Sequence, residues 1–180
     1  MTSAKDVANF YIDLVNCDEY GDGMTNMRLN KFLFFAQGHY FARMGEPLFD
    51  DDFEAWEFGP VISKIYHQYK GNGKSPINEI DSDYDSDSFS EDELEVLLDV
   101  AREYGKYATS TLVSFTHRDD SPWVMNVNSV SQRIPKNQIR DYFSSQKSLR
   151  TFDDVLLSAS IPTYDKRDAD GYIVLPKDSS

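Results

Sequence analysis

The chain predicts a mainly α-helical, compact domain of about six helices with a small β-hairpin-like element near residues 48–58. Three observations carry this reading. Apolar residues recur at three- and four-residue spacing through most of the first 150 positions. Ser, Thr and Pro stand where helices should begin, and Gly where they should end. One short stretch, Leu48 to Phe58, breaks the helical period and runs aromatic, acidic and aromatic again. A length of 180 residues suits one domain. The periodic part, residues 1–150, is read as that domain, and residues 151–180 as a C-terminal tail.

Each element has its own justification. Val7, Phe10, Tyr11, Leu14 and Val15 share one helical face, with Ser3 and Asp6 placed as a cap. The first helix should therefore run over about 4–16 and end before Gly21-Asp22-Gly23. Thr25 caps a second helix with the stripe Leu29, Phe32, Leu33, Ala36 and Tyr40. Phe34, Phe35 and Phe41 widen that stripe until Arg28, Asn30, Lys31, Gln37 and Arg43 are its polar remainder. A helix apolar on most sides belongs at the centre of a bundle. Gly45 and Pro47 end it.

Leu48-Phe49 and Phe53 to Phe58 then read as two short strands around the acidic turn Asp50-Asp51-Asp52. Gly59-Pro60 opens a third helix with the stripe Val61, Ile62, Ile65, Tyr66 and Tyr69. Residues 71–89 form an acidic loop in which Asp81, Asp83, Asp85 and Asp87 alternate with Ser and Tyr, and its stretch Asp81–Asp87 is expected to be mobile and dispensable for folding. Ser90 and Glu93 make a capping box, flanked by Phe89 and Leu94 as a hydrophobic staple, for a fourth helix reaching about Tyr104. A fifth helix follows from Thr109 or Ser110 to about His117, then a short turn at Pro122-Trp123. Pro135 opens the last helix, with Ile139, Tyr142 and Phe143 inward. Beyond Thr151 the helical signal fades, leaving at most one short strand near Tyr172 to Pro176.

Composition narrows the function. A net charge of −13 works against unspecific binding to nucleic acid or an anionic membrane, and suits a basic protein partner. The single cysteine, Cys17, cannot form an internal disulfide, which fits a reducing cytoplasm. No signal pattern and no long apolar run is present, so a soluble cytoplasmic protein is expected, away from membranes.

Two motifs imitate chemistry and fail. Gly73-Lys74-Ser75 looks like the end of a phosphate loop, but the glycine needed five residues earlier is Gln68 and Pro76 blocks the receiving helix. Asp81 to Asp92 looks like a calcium loop, yet Ser86 replaces its turn glycine and Asp92 its closing glutamate. His39, His67 and His117 lack metal-ligand spacing. His117 is the one acid–base candidate, set against the commoner role of a histidine bonding the last carbonyls of a helix. Trp56 and Trp123 each stand beside a proline-marked boundary and serve either as core or as interface anchors. No catalytic residue, metal site or cofactor is expected.

Read in order, these pieces resemble the Panacea domain of SocA-like antitoxins. Leu29 to Gly38 looks like the family's opening leucine–lysine–leucine helix, with Phe34-Phe35 where tyrosines are commoner. Gly45-Glu46-Pro47-Leu48-Phe49 and Glu54 to Val61 resemble its signature segment, followed by Ile65-Tyr66. Leu112, Thr116-His117, Ser121-Pro122-Trp123, Ile134 and Ile139 through Phe143 continue the match.

The resemblance implies a non-enzymatic antitoxin that binds and neutralises a toxin protein encoded in the same operon, in prophage and phage-defence settings. Some relatives are adaptors delivering a toxin to an ATP-dependent protease, and a DNA-binding autoregulator is a further alternative. The partner-binding residues expected are Trp56, Phe58, Gly59, Pro60 and Tyr66, an elbow around the Gly-Pro step, joined by His117 and Trp123. Alternation should send Trp56 and Phe58 to one face and Ala55 to the other. Nucleic acid is the weaker partner, because the most basic stretch, Arg133 to Arg150, is modest and interrupted by Asp141.

Overall fold

Helix α2, Asn26–Met44, is the axis of the fold: every residue from Arg28 to Phe41 is buried. The computed structural model describes residues 2–16 and 23–151. Cys17, the Gly21-Asp22 turn and the tail strand anticipated near Tyr172 lie outside the described residues. Among the described residues seven α-helices and a small three-stranded antiparallel sheet make up a mainly α-helical domain. One compact unit spans Met1–Leu149.

Around α2 stand α1 (Ala4–Asn16), α3 (Ser63–Tyr69), α4 (Glu91–Tyr104), α5 (Thr109–Thr116) and α7 (Lys136–Ser145), with the five-residue α6 (Pro122–Asn126) beside the sheet. The caps act as the sequence indicates. Thr25 accepts from the Arg28 N–H, and Ser90 and Glu93 form a complete capping box. Gly45 takes the left-handed conformation (φ 77°) that ends α2. Gly38 lets α7 close on α2, since a Cβ there would overlap the Phe143 ring. That ring meets Phe34 edge-on at 5.5 Å, and Phe34 meets Phe53 at 5.4 Å, which joins α7, α2 and the sheet in one aromatic core.

The polar remainder of α2 is not a solvated stripe. Arg28, Asn30, Lys31 and Gln37 are all buried, and each binds the backbone of a following segment. Gln37 accepts from the Leu48 and Phe49 N–H groups and donates to the Phe49 carbonyl. Asn30 accepts from the Ile62 N–H, and Arg28 donates to the Tyr107 and Gly105 carbonyls. Irregular backbone carries polar groups that need partners once buried, and α2 supplies them.

That satisfaction explains why the β element differs from expectation. Leu48 and Phe49 are buried but form no strand, because Gln37 occupies their hydrogen-bonding groups. The hairpin instead pairs β1 (Phe53–Trp56) with β2 (Gly59–Val61) in the register Trp56↔Gly59 and Ala55↔Pro60. Gly59-Pro60 therefore lies in a strand and does not start a helix. Pro60 is tolerated there because its strand is at the edge of the sheet. Helix α3 begins at Ser63, so Val61 and Ile62 lie outside it. Strand β3 (Arg133–Ile134) pairs on the other side of β1, an addition too short to read from the sequence.

The acidic loop is also tied down. Ile77 is fully buried, and its N–H donates to the Met24 carbonyl. Asp81 pairs with Lys5 at 2.9 Å and accepts from the Asn9 amide at 3.1 Å. Asp81, the first residue of the stretch expected to be mobile, is therefore anchored to α1. Asp83, Asp85 and Asp87 remain exposed.

Candidate functional site

The hairpin turn is built on one glycine. Gly59 adopts φ 106°, and a Cβ there would come within 2.7 Å of both Lys31 Cε and Thr116 Oγ1. No side chain fits between the hairpin and these two groups, so the turn lies directly on α2 and the end of α5. Beneath it Lys31 Nζ donates to the Pro60 carbonyl at 3.1 Å. Burial without an acidic partner lowers its pKa from 10.5 to about 7.

A second brace comes from the corner between α5 and α6. Ser121 caps α6 by accepting from the Val124 N–H, and its hydroxyl donates to the Thr116 carbonyl. The corner sets Trp123 flat on His117, with ring centroids 3.6 Å apart and planes 8° from parallel. Trp123 Nε1 donates to the Trp56 carbonyl at 2.7 Å, which ties this stack to β1. His117 Nε2 is buried without a hydrogen-bond partner, so its ring is not the carbonyl cap a C-terminal histidine often provides. Burial first, and then the Lys31 charge, lower its pKa.

The outer layer is aromatic. Phe53 and Ala55 point inward from β1, while Glu54 and Trp56 are half-buried on its other face. Trp56 Nε1 donates to Glu54 Oε2 at 2.7 Å, and its ring meets Tyr66 edge-on at 4.9 Å. His67 extends the cluster, 5.5 Å from Tyr66. Phe58, 55% exposed, stands in the two-residue turn between the strands. It therefore does not share the strand face of Trp56 through simple alternation, although Ala55 does oppose Trp56 as expected.

The residues singled out in the sequence divide into two layers. Gly59, Pro60, His117 and Trp123 form the brace, and Trp56, Phe58 and Tyr66 the outward surface. Sequence reasoning missed Lys31, Thr116 and Glu54. Lys31 carried a signal: the positions three and four residues away are Met27, Arg28, Phe34 and Phe35, so no acid on its own helix could pair with it.

Other chemistries find little here. Among the described residues no group of three or more His, Cys, Asp or Glu is arranged to hold a metal ion. The basic stretch near α7 is largely neutralised: Arg133 pairs with Asp52, Lys136 with Asp50 and Arg140 with Asp141. A nucleic-acid surface would need those cations for phosphate. Among the described residues no helix is long and apolar enough to cross a membrane.

The family profile described as "Antitoxin SocA-like, Panacea domain" matches residues 29–124, from the first turn of α2 into α6. The chain belongs to the SocA-like Panacea family. Antitoxin SocA of Caulobacter vibrioides (strain NA1000 / CB15N) is 30% identical over 161 residues, covering 80% of this chain and 84% of that relative. No solved structure matches the chain. The Panacea match contains every outward and bracing residue named above, and it excludes β3 and α7. Membership supports an antitoxin role with a cognate toxin as partner.

Proposed function

We propose that this Panacea protein is a non-enzymatic antitoxin that neutralises a cognate protein toxin in the cytoplasm by binding it directly through the hairpin elbow. The observation that carries the reading is Phe58, an aromatic side chain 55% exposed at the tip of a turn braced from below. Large aromatics held on rigid backbone lose little entropy on association and dominate binding hot spots. Trp56 and Tyr66 continue the surface, while Lys31, His117 and Trp123 keep it in place.

The test is co-expression with the reading frame beside this one. Rescue of growth and co-purification of a stable complex are expected, with Phe58→Ala weakening the complex and leaving the melting temperature nearly unchanged. A harmless neighbour, or a toxic one neither bound nor rescued, defeats the proposal.

A further inference from the structure

We propose that the hairpin face receives a basic side chain of the partner protein, an arginine laid against the Trp56 and Tyr66 rings and paired by the carboxylates of Glu54 and Glu57. This rests on the direct-binding reading above and names the chemistry that the face selects.

Charge distribution is the first ground. In the turn before β1 every acid has a cation: Asp50 has Lys136, Asp51 has Lys64 and Asp52 has Arg133. The next two acids along the chain differ. Glu54 bonds the indole of Trp56, and among the described residues neither Glu54 nor Glu57 is in an ion pair: Arg133, cross-strand from Glu54, is paired with Asp52. The lysine of α3, Lys64, is committed to Asp51. Glu54 is thus half-buried on the Trp56 face and Glu57 exposed in the turn next to Phe58, in a chain of net charge −13. A partner with basic groups meets complementary charge there.

Geometry selects within the basic class. The Glu54–Trp56 hydrogen bond of 2.7 Å fixes an indole and a carboxylate as one unit, and Tyr66 adds a second ring 4.9 Å from the first. A planar guanidinium can lie on a ring face while its edge forks to a carboxylate. An ammonium is a compact point charge that does one or the other less well. Phe58, exposed in the turn two residues along the chain from Trp56, would enter an apolar recess of the same partner.

A peptide titration tests the surface without any toxin. The chain has two tryptophans, so their indole N–H resonances are separable with Trp56→Phe as the assignment control. A short peptide containing arginine beside a leucine should shift the Trp56 indole in a saturable way. The same peptide with citrulline should not. Trp123, whose indole is engaged with the Trp56 carbonyl, should move least. Glu54→Gln and Glu57→Gln should each weaken the response several-fold. Equal response to arginine and citrulline, no response at Trp56, or one centred on Trp123 overturns the proposal.

With the co-expressed toxin, Glu57→Lys should lower affinity at least tenfold and flatten its salt dependence, while the same charge change at Asp83 should not. If the wild-type complex forms and the two variants behave alike, the arginine proposal falls and direct binding stands. If no complex forms, direct binding falls and the peptide titration alone decides.

Discussion

Lys31 reaches from the central helix to the Pro60 carbonyl across 3.1 Å, with 1% of its surface exposed. A lysine so placed joins α2 to the edge of the hairpin at a strand position where proline has no N–H to offer. Lys31 answers the carbonyl and, among the described residues, has no acid paired with it.

This makes stability depend on pH in a definite direction. In the unfolded chain Lys31 titrates near 10.5, and in the fold near 7. Between those values the unfolded state holds more protons, so stability should rise as pH rises from 7 to about 9.5. Above pH 10 the trend should reverse, because Tyr69 and Tyr84 are pushed up to about 12 by burial and the unfolded chain ionises first. Denaturant melts across pH 7–9.5 should show the slope in wild type and lose most of it in Lys31→Met. An unchanged slope in that variant would refute the assignment.

His39 gives the acid limb. It is buried, its Nε2 lies 2.8 Å from the Tyr104 hydroxyl, and burial together with Arg43 lowers its pKa from 6.5 to about 3. Between pH 3 and 6.5 the unfolded chain takes a proton that the folded one refuses, so stability should fall on acidification through that window. His39→Gln should melt with a shallower dependence from pH 6.5 to 5, read by circular dichroism.

The two tryptophans should separate binding from folding. Trp56→Ala removes a half-buried ring and should cost about 2 kcal/mol or more of toxin affinity. Its stability cost should stay below the roughly 3–5 kcal/mol of a fully buried aromatic. Trp123→Phe keeps a ring on His117 and loses the donor to the Trp56 carbonyl, which should cost about 1–3 kcal/mol of stability. Calorimetric melts and toxin titration on the same proteins provide both numbers. Equal binding loss from both variants at equal stability would erase the distinction between surface and brace.

The acidic loop should respond residue by residue. Ile77→Ala opens a cavity in the core and should cost about 2–5 kcal/mol. Asp81→Asn loses the Lys5 pair, the largest reason its pKa lies below the usual carboxylate value, and should cost about 0.2–1 kcal/mol. Because that carboxyl is held down, its contribution should fade as pH drops through the carboxylate range. Asp83, Asp85 and Asp87, changed together to Asn, should shift stability by no more than about 0.5 kcal/mol. Urea melts of the three proteins check the order.

The amino-acid sequence by itself determined most of the helices, the caps of α2 and α4, the burial of α2 and the membership of the Panacea family. These depend on local spacing: Ser90 and Glu93 meet within one turn, and Phe32, Phe34 and Phe35 leave α2 no open side. The sequence also pointed to Trp56, Tyr66, His117 and Trp123 as neighbours of boundaries. Only the tertiary structure decided what those boundaries do. Gly59-Pro60 looked like a helix start because proline at a first helical turn and proline at a sheet edge demand the same thing, a position where no N–H is needed. The choice fell to the strand when Lys31, 29 residues earlier in the chain, took the Pro60 carbonyl and Asn30 took the Ile62 N–H. The brace of Trp123 on Trp56 spans 67 residues, and Ile77 is buried beside Met24. Such contacts leave no period in the sequence. Their hydrogen bonds and packing arise only once distant segments have been brought together, so local pattern locates the residues and long-range partners assign their roles.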